Sequence, residues 1–491
     1  MKLLTFWCVM LCLLPAFGIG QHPAQDKLDH FLEIAEELFQ KAELPGAGIA
    51  LVYQGEVLFK GGMGYADRAQ QIPVTSNSVF PIGSTTKAFT GVLAATLVDQ
   101  GQIDWKQPII QYLPDFTLTE PYVAKQVNLE DLFTHMTGLA QEDQRWLDMP
   151  IDREAVFQQT ATLPFTHSFR STWAYNNHAY VIIGKVLETQ TGKTWETLIQ
   201  ERIFQALGMD HSYARHQDFL NDPLHVIGYQ GDGKSIRPHQ NTDNIAPAGG
   251  ISSSPSDMAK WLQFLANKGQ VQGHPLVDST TFDYLISPKG MSFVDPCTVQ
   301  YYSIGWGGLK TAERRILRHS GAIGGNSARI SVLPDDGFGI AILTNQRSDF
   351  KEILTAYAEQ LFVLGDFKRD LEREHQLINL NRFIQFQNTL LDFGIAAAKD
   401  YYASLEFRDF EDDLIHLGLA LLEAGYLEPA LYLFELNAQE RPESVQALVH
   451  YARALAQNKE TQEAINYYKK ALHLDPDQDA VREALDKLEN Q

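Results

Sequence analysis

The chain has 491 residues, 44% of them hydrophobic, with 40 Lys plus Arg against 61 Asp plus Glu and a formal charge of −21. That length allows two to four domains with sizeable cores. The acidic balance argues against nucleic acid and anionic membrane surfaces as partners.

Residues 1–20 read as a secretory signal peptide. Lys2 is followed by an apolar run, Leu3 to Phe17, too short to span a bilayer. Gly18 and Gly20 then supply small residues before a cleavage after Gly20. The alternative is an N-terminal anchor; the short run favours cleavage, hence a secreted or periplasmic protein with no membrane span afterwards. Cys8 and Cys12 leave with the signal, so Cys297 remains alone. No internal disulfide and no cysteine-based metal site is expected.

Asp26 to Ala42 carries a broad apolar stripe and predicts an amphipathic helix. Ala47–Tyr53 and Val57–Lys60, split by Gln54-Gly55-Glu56, predict a hairpin. Phe80-Pro81-Ile82-Gly83-Ser84-Thr85-Thr86-Lys87 then reads as an extended approach, a tight turn and a helix start. Phe89, Val92, Leu93 and Leu97 continue at helical spacing, and Gly101 suits the helix end. Ser84 and Lys87 thus lie one turn apart on one face. A serine becomes a nucleophile when a base takes its proton, and a lysine with a lowered pKa can be that base. The helix N-terminus favours a developing oxyanion. Spacing alone is weak: Ser348-Asp349-Phe350-Lys351 fits the same pattern.

Leu129 to Leu139 looks like a helix closing at Gly138, with His135 as a structural histidine at its end rather than a catalytic one. Tyr175-Asn176-Asn177 follows. A tyrosine near cations can move protons, and an asparagine two residues on can bind a substrate amide. The plainer reading is an Asn-rich turn capping a helix over Val181–Thr191, closed by Gly192. Gly192-Lys193-Thr194 is not a phosphate loop, because position 187 is Leu rather than Gly. Asn244 to Lys268 reads as loop then helix, and residues 270–310 give no clear element. Around Arg318–Gly325 a strand is expected at a sheet edge, lining a cleft. It could offer His319 as donor or cation and the Ala322 N–H to an oxyanion. The alternative is glycine-rich packing. Ala328–Leu333 and Gly339–Thr344 predict strands, and Asp349–Phe362 a helix with Ser348 at its N-cap.

Ser84-Thr85-Thr86-Lys87, Tyr175-Asn176-Asn177 and His319-Ser320-Gly321, in this order, resemble the serine β-lactamase and penicillin-binding-protein-like superfamily. The likeness covers about residues 25–365 and points to the exported β-lactamase-related serine hydrolases, where histidine replaces the lysine of the third motif. Phe133-Thr134-His135-Met136-Thr137-Gly138-Leu139, Leu207-Gly208-Met209 and Pro247-Ala248-Gly249-Gly250 are similar to that branch too. The resemblance implies an α+β fold: an antiparallel sheet formed from both ends of the domain, flanked by helices, plus an all-helical lobe. It implies Ser84 as the acyl-enzyme nucleophile, with Lys87 and Tyr175 sharing the proton work. Asn177, His319 and Gly321 would bind substrate, the N–H groups of Ser84 and Ala322 would form the oxyanion hole, and no metal or other cofactor is needed. Histidine at 319 lacks a fixed positive charge, which favours ester, amide or D-amino-acid peptide substrates over anionic β-lactams.

Residues 409–489 repeat with a period of 34: Gly418 matches Ala452, Phe434 matches Tyr468, and Pro442 matches Pro476. This resembles tetratricopeptide repeats, with Asp479–Leu488 as a capping helix. Such a module offers a groove for a protein or peptide partner, or else a stabilising appendage. The expected layout is a signal at 1–20, a hydrolase domain at 21–365, a helical connector at 366–408 and repeats at 409–491. The competing functional class is a non-catalytic scaffold that binds cell-wall peptides or proteins on the same fold.

Overall fold

The computed structural model describes residues 23–231, 233–294, 298–365, 367–405 and 410–489. The expected signal peptide and Cys297 lie outside them. Helix α1, Pro23–Lys41, buries Phe31, Ala35 and Leu38 along its apolar stripe. Strands β1 (Gly46–Tyr53) and β2 (Glu56–Asp67) form the expected hairpin. Gln54 and Gly55 between them both take left-handed φ, which suits the right-handed twist of paired strands. β2 runs past Lys60 through Gly61, Gly62 and Gly64, because its register with β1 continues from Ala50↔Lys60 to Gly46↔Gly64.

Among the described residues a nine-stranded antiparallel sheet forms. Its other strands are β3 (Ile72–Pro73), β4 (Gly290–Val294), β5 (Thr298–Tyr302), β6 (Gly307–Thr311), β7 (Arg315–Ile323), β8 (Asn326–Leu333) and β9 (Phe338–Thr344). The order is β3-β2-β1-β9-β8-β7-β6-β5-β4, so the first hairpin closes against the last strand. Alternate residues sort to opposite faces. Ile49, Leu51, Ile340 and Ile342 pack with α1, while Ala50, Val52, Ala341 and Leu343 join the larger core on the other side.

That larger core is built on α2 (Thr86–Asp99), buried from Thr86 through Leu97. A helix apolar all round belongs in a core. Phe89 stacks on Trp261 of a later helix at 3.8 Å between ring centroids. α3 (Asn177–Thr191) begins four residues before the expected Val181, with Asn176 as its cap. The expected helix at 129–139 stops at Phe133, started by an Asn128–Asp131 capping box. His135 and Gly138 beyond it both take positive φ, so the chain turns away instead of continuing. The unassigned stretch holds a helix, Ser279–Ile286, and strands β4 to β6. These strands pair in sequence order as successive hairpins, but glycines in β4 and β6 weaken the local pattern that would reveal them.

β7 is an interior strand rather than the expected edge, but only in its first half. β6 pairs with it from Arg315 to Arg318 and stops. From His319 to Ile323 it pairs only with β8, leaving its other side open. Beyond β9, α4 (Phe350–Glu359) continues as a π-turn to Leu364. Its cap position is Asp349, although Ser348 Oγ accepts from Phe350 N.

α5 (Leu371–Ser404) is two helical stretches joined at Gly394, whose φ of 83° and ψ of 179° break the helix. Leu377 packs with the α1 face, whereas Phe386 and Leu390 belong to the C-terminal core. There α6 (Glu411–Glu423), α7 (Leu427–Glu440), α8 (Val445–Gln457) and α9 (Thr461–Leu474) make two helix pairs, followed by α10 (Asp479–Glu489). Gly418 gives room for Phe434, whose ring would lie 2.6 Å from a Cβ there. No helix among the described residues is long and apolar enough to cross a membrane.

Candidate active site

Phe80–Pro81 pairs with Ser252–Ser253, and Ile82 N donates to Ile251 O, so the approach to Ser84 is pinned at its outer end. A 3₁₀ turn, Gly83–Thr85, leads into α2. In the run 78–97 every residue is buried except Ser84, which keeps partial exposure. A nucleophile needs this: rigid support with its oxygen reachable.

Lys87 Nζ has three neighbours. It lies 3.4 Å from Ser84 Oγ, 2.8 Å from Asn177 Oδ1 and 2.9 Å from Ala248 O. Complete burial pushes its pKa down to about 7, against a smaller upward pull from Asp143. In the neutral amine two N–H groups serve Asn177 and Ala248, and the lone pair faces Ser84. Tyr175 Oη lies 2.9 Å from Ser84 Oγ. Burial raises the phenol's pKa, and the bond to Ser84 lowers it less. Tyr175 therefore stays protonated and donates to Ser84, leaving the Ser84 proton free to point at Lys87. The two groups are not equivalent: one is placed to take a proton, the other to give one.

Asn177 touches the machinery rather than only the substrate space. Its Oδ1 holds Lys87, and its Nδ2 donates to Asp143 Oδ1 at 3.1 Å. Asn176 alone caps α3, accepting from Ala179 N at 3.0 Å and donating to Ala140 O at 2.6 Å. The capping and functional readings of the Asn pair thus fall on different residues. His135 supports the same segment: Ala174 N donates to its carbonyl, Asn176 N donates to its Nδ1, and its ring lies 4.5 Å from that of Tyr175. Burial holds the His135 pKa well below the usual histidine value. It positions Tyr175, and as expected it also closes the helix: with left-handed φ, its N donates to Leu132 O while Met136 N donates to Asp131 O.

His319 stands on the open half of β7, but not as a cation. Burial, then the nearby Lys87 charge, pushes its pKa down to about 3. Nδ1 lies 2.7 Å from Ser320 O, which can only accept, so Nδ1 carries the proton. Nε2 is then bare and accepts from Tyr302 Oη at 2.8 Å. Both ring nitrogens are engaged within the protein, so the expected donor role is not met in this state.

Gly83 and Gly321 let the serine turn and β7 approach each other closely. A Cβ at Gly83 would lie 2.7 Å from Ala322 N, and Gly83 has a φ of 52°. One at Gly321 would lie 2.9 Å from Ser84 N and collide with Ile82 O. The Ser84 and Ala322 backbone nitrogens named from sequence thus both lie where these two segments meet. Three groups that sequence reasoning passed over also belong here: Asp143, Tyr302 and the Ala248 carbonyl. Pro247-Ala248-Gly249-Gly250 was visible as a motif, but a backbone carbonyl leaves no residue-type signal.

The Beta-lactamase family model matches residues 31–363, which spans all of these groups. The chain belongs to the Beta-lactamase family. A second model, a tetratricopeptide repeat, matches residues 445–485. Among relatives of this Beta-lactamase-family chain, the unguisins hydrolase ungD of Aspergillus violaceofuscus is 29% identical, covering 67% of this chain and 63% of its own. A beta-lactamase of Escherichia coli is 29% identical over 46% of this chain and 58% of its own. The chain thus spans about three fifths of the length of the curated relatives it matches. Solved structures agree on the fold. An octameric penicillin-binding protein homologue from Pyrococcus abyssi superposes with a TM-score of 0.61 at 21% identity, over 74% of this chain and 81% of that one. A class C beta lactamase from Rhodobacter sphaeroides gives 0.57 at 20% identity, over 68% of this chain and 99% of that one.

Proposed function

We propose that the protein is a serine acyl hydrolase working through an acyl-enzyme on Ser84. One observation carries this reading: a half-exposed Ser84 hydroxyl set 2.9 Å from a protonated phenol and 3.4 Å from a buried lysine whose pKa is near neutrality. A serine that only bound ligand would need neither. The names of the relatives, a hydrolase and a beta-lactamase, support the same reaction class.

Lys87, as the amine, takes the Ser84 proton while Oγ attacks a carbonyl carbon, a step to which a positioned base contributes about 10²–10⁴-fold. The oxyanion forms between Ser84 N and Ala322 N. Collapse breaks the bond to the leaving group, which takes the Tyr175 proton; the Lys87 ammonium restores it. Water then attacks the acyl carbon along the reverse path. Asn177 keeps Lys87 aimed and has a second N–H for a substrate oxygen. The substrate is an ester, amide or D-amino-acid peptide in preference to a β-lactam, since no free cation stands at 319. We further propose that residues 1–20 direct export and that the repeats hold a protein or peptide partner.

Intact-mass measurement after a fluorophosphonate tests the site. The expected result is one adduct, mapped to Ser84 and absent in Ser84→Ala. No adduct, with no turnover of p-nitrophenyl esters, would leave the non-catalytic scaffold as the better reading.

A further inference from the structure

On the far side of Tyr175, whose hydroxyl reaches Ser84, a cleft of about 530 Å³ opens between the Tyr175 segment and strands β5 to β7. It shares Tyr175 and His319 with the site, and its other walls include Trp173, Tyr301, Tyr302 and Leu309. The rings are mutually braced: Trp173 lies 5.9 Å from Tyr302 and 6.2 Å from Tyr175, centroid to centroid. Gly307 and Gly308 line the same cleft, and the Tyr301 ring occupies the place where a Gly308 side chain would begin. Gln300 and Ser320 also line the cleft, but its aromatic faces suit a flat guest.

Charge is removed from the cleft as carefully as bulk. Arg318 and Arg329 reach it, but neither is free. Arg318 makes a two-point pair with Glu359, with Nε 3.0 Å from Oε1. Arg329 Nε stands 3.0 Å from Glu352 Oε2, and its Nη1 donates to Ser320 Oγ at 2.8 Å. His319 has both nitrogens engaged, as described. An anionic group entering here would lose water and find every cation already paired, which is costly.

We propose that this cleft is the acyl-group subsite and takes a neutral aromatic group attached to the scissile carbonyl. The assignment rests on the hydrolase reading for its chemistry but not for its binding. Two measurements separate them. The first compares kcat/KM for p-nitrophenyl phenylacetate, p-nitrophenyl acetate and the p-nitrophenyl monoester of succinate. Phenylacetate is expected to exceed acetate by roughly tenfold or more, and the succinate monoester to fall below acetate. In Trp173→Ala, which removes a wall, and Gly307→Val, which fills the floor, the phenylacetate-to-acetate ratio should drop by about tenfold. The second is calorimetric binding of N-methyl-2-phenylacetamide, which carries its ring on the acyl side, to Ser84→Ala, expected to saturate and to weaken about tenfold when either cleft substitution is added. An unchanged ratio in both variants, or succinate faster than phenylacetate, overturns the subsite. If turnover is absent or survives Ser84→Ala, the hydrolase reading fails, and binding of N-methyl-2-phenylacetamide, or its absence, still decides the cleft.

Discussion

Ser84–Lys87 and Ser348–Lys351 share one spacing, and both lysines are buried. Burial lowers the pKa of both. Their surroundings differ. Lys351 Nζ donates to the backbone carbonyl of Ser348 at 2.8 Å, and Ser348 Oγ is occupied by Phe350 N at 3.2 Å. A carboxylate, Glu352, lies 3.8 Å from Lys351 and favours its charged form. Lys87 instead has a neutral amide and a carbonyl for partners, and its serine faces a phenol. Spacing brings a hydroxyl and an amine into one neighbourhood; what the remaining hydrogen-bond valences do decides whether a base results.

The largest expected contrast is in the serines. Ser84→Ala should lower ester turnover by at least about a thousandfold, while Ser348→Ala should stay within about twofold of the parent. Comparable losses would break the distinction. The lysines follow. Lys87→Met should cost about 10²–10⁴-fold in kcat, whereas Lys351→Met should lower the melting temperature with turnover nearly intact. Tyr175→Phe keeps the ring against His135 and removes the proton donor, so kcat should fall by about 10²-fold with little change in stability. An unaffected kcat would assign the leaving-group proton elsewhere.

The smallest effect is the most specific. The working form of Lys87 is the amine, so kcat/KM should rise with pH through about 7. Asp143 raises the Lys87 pKa by favouring the ammonium. Asp143→Asn should therefore move that limb to lower pH while retaining the side chain's shape. A limb that stays put or moves up would mean that a group other than Lys87 sets the profile. Lys351 has no place in this titration, so Lys351→Met should leave the limb where it was.

Much of the fold was legible because it rests on local chemistry. The stripe of α1, the Gln54-Gly55 turn, the Asn176 cap and the Gly418–Phe434 crossing each follow from residue type and period. The misread stretches have one cause. Backbone hydrogen bonding outweighed residue preference in each: β2 continues through three glycines on its ladder with β1, β4 to β6 pair as successive hairpins, and the 129–139 helix closes at a left-handed His135. In the site, Ser84, Lys87 and Tyr175 were named from two motifs and do meet. Asp143 and Tyr302 were not named, since one of two adjacent acids at a 3₁₀ turn and one of nineteen tyrosines carry no pattern.

By itself, then, the order of residues determined which side chains could do chemistry and which helices and turns would carry them, because caps, periods and turn residues act over a few positions. Only the folded chain decided that β6 stops at Gly307 opposite Arg318 and leaves His319 to Ile323 facing the serine turn. The same closure committed both nitrogens of His319 and drew Lys87 out of water. Which backbone groups stay unpaired and which side chains lose water follow from how whole segments pack, so no single stretch of sequence contains them.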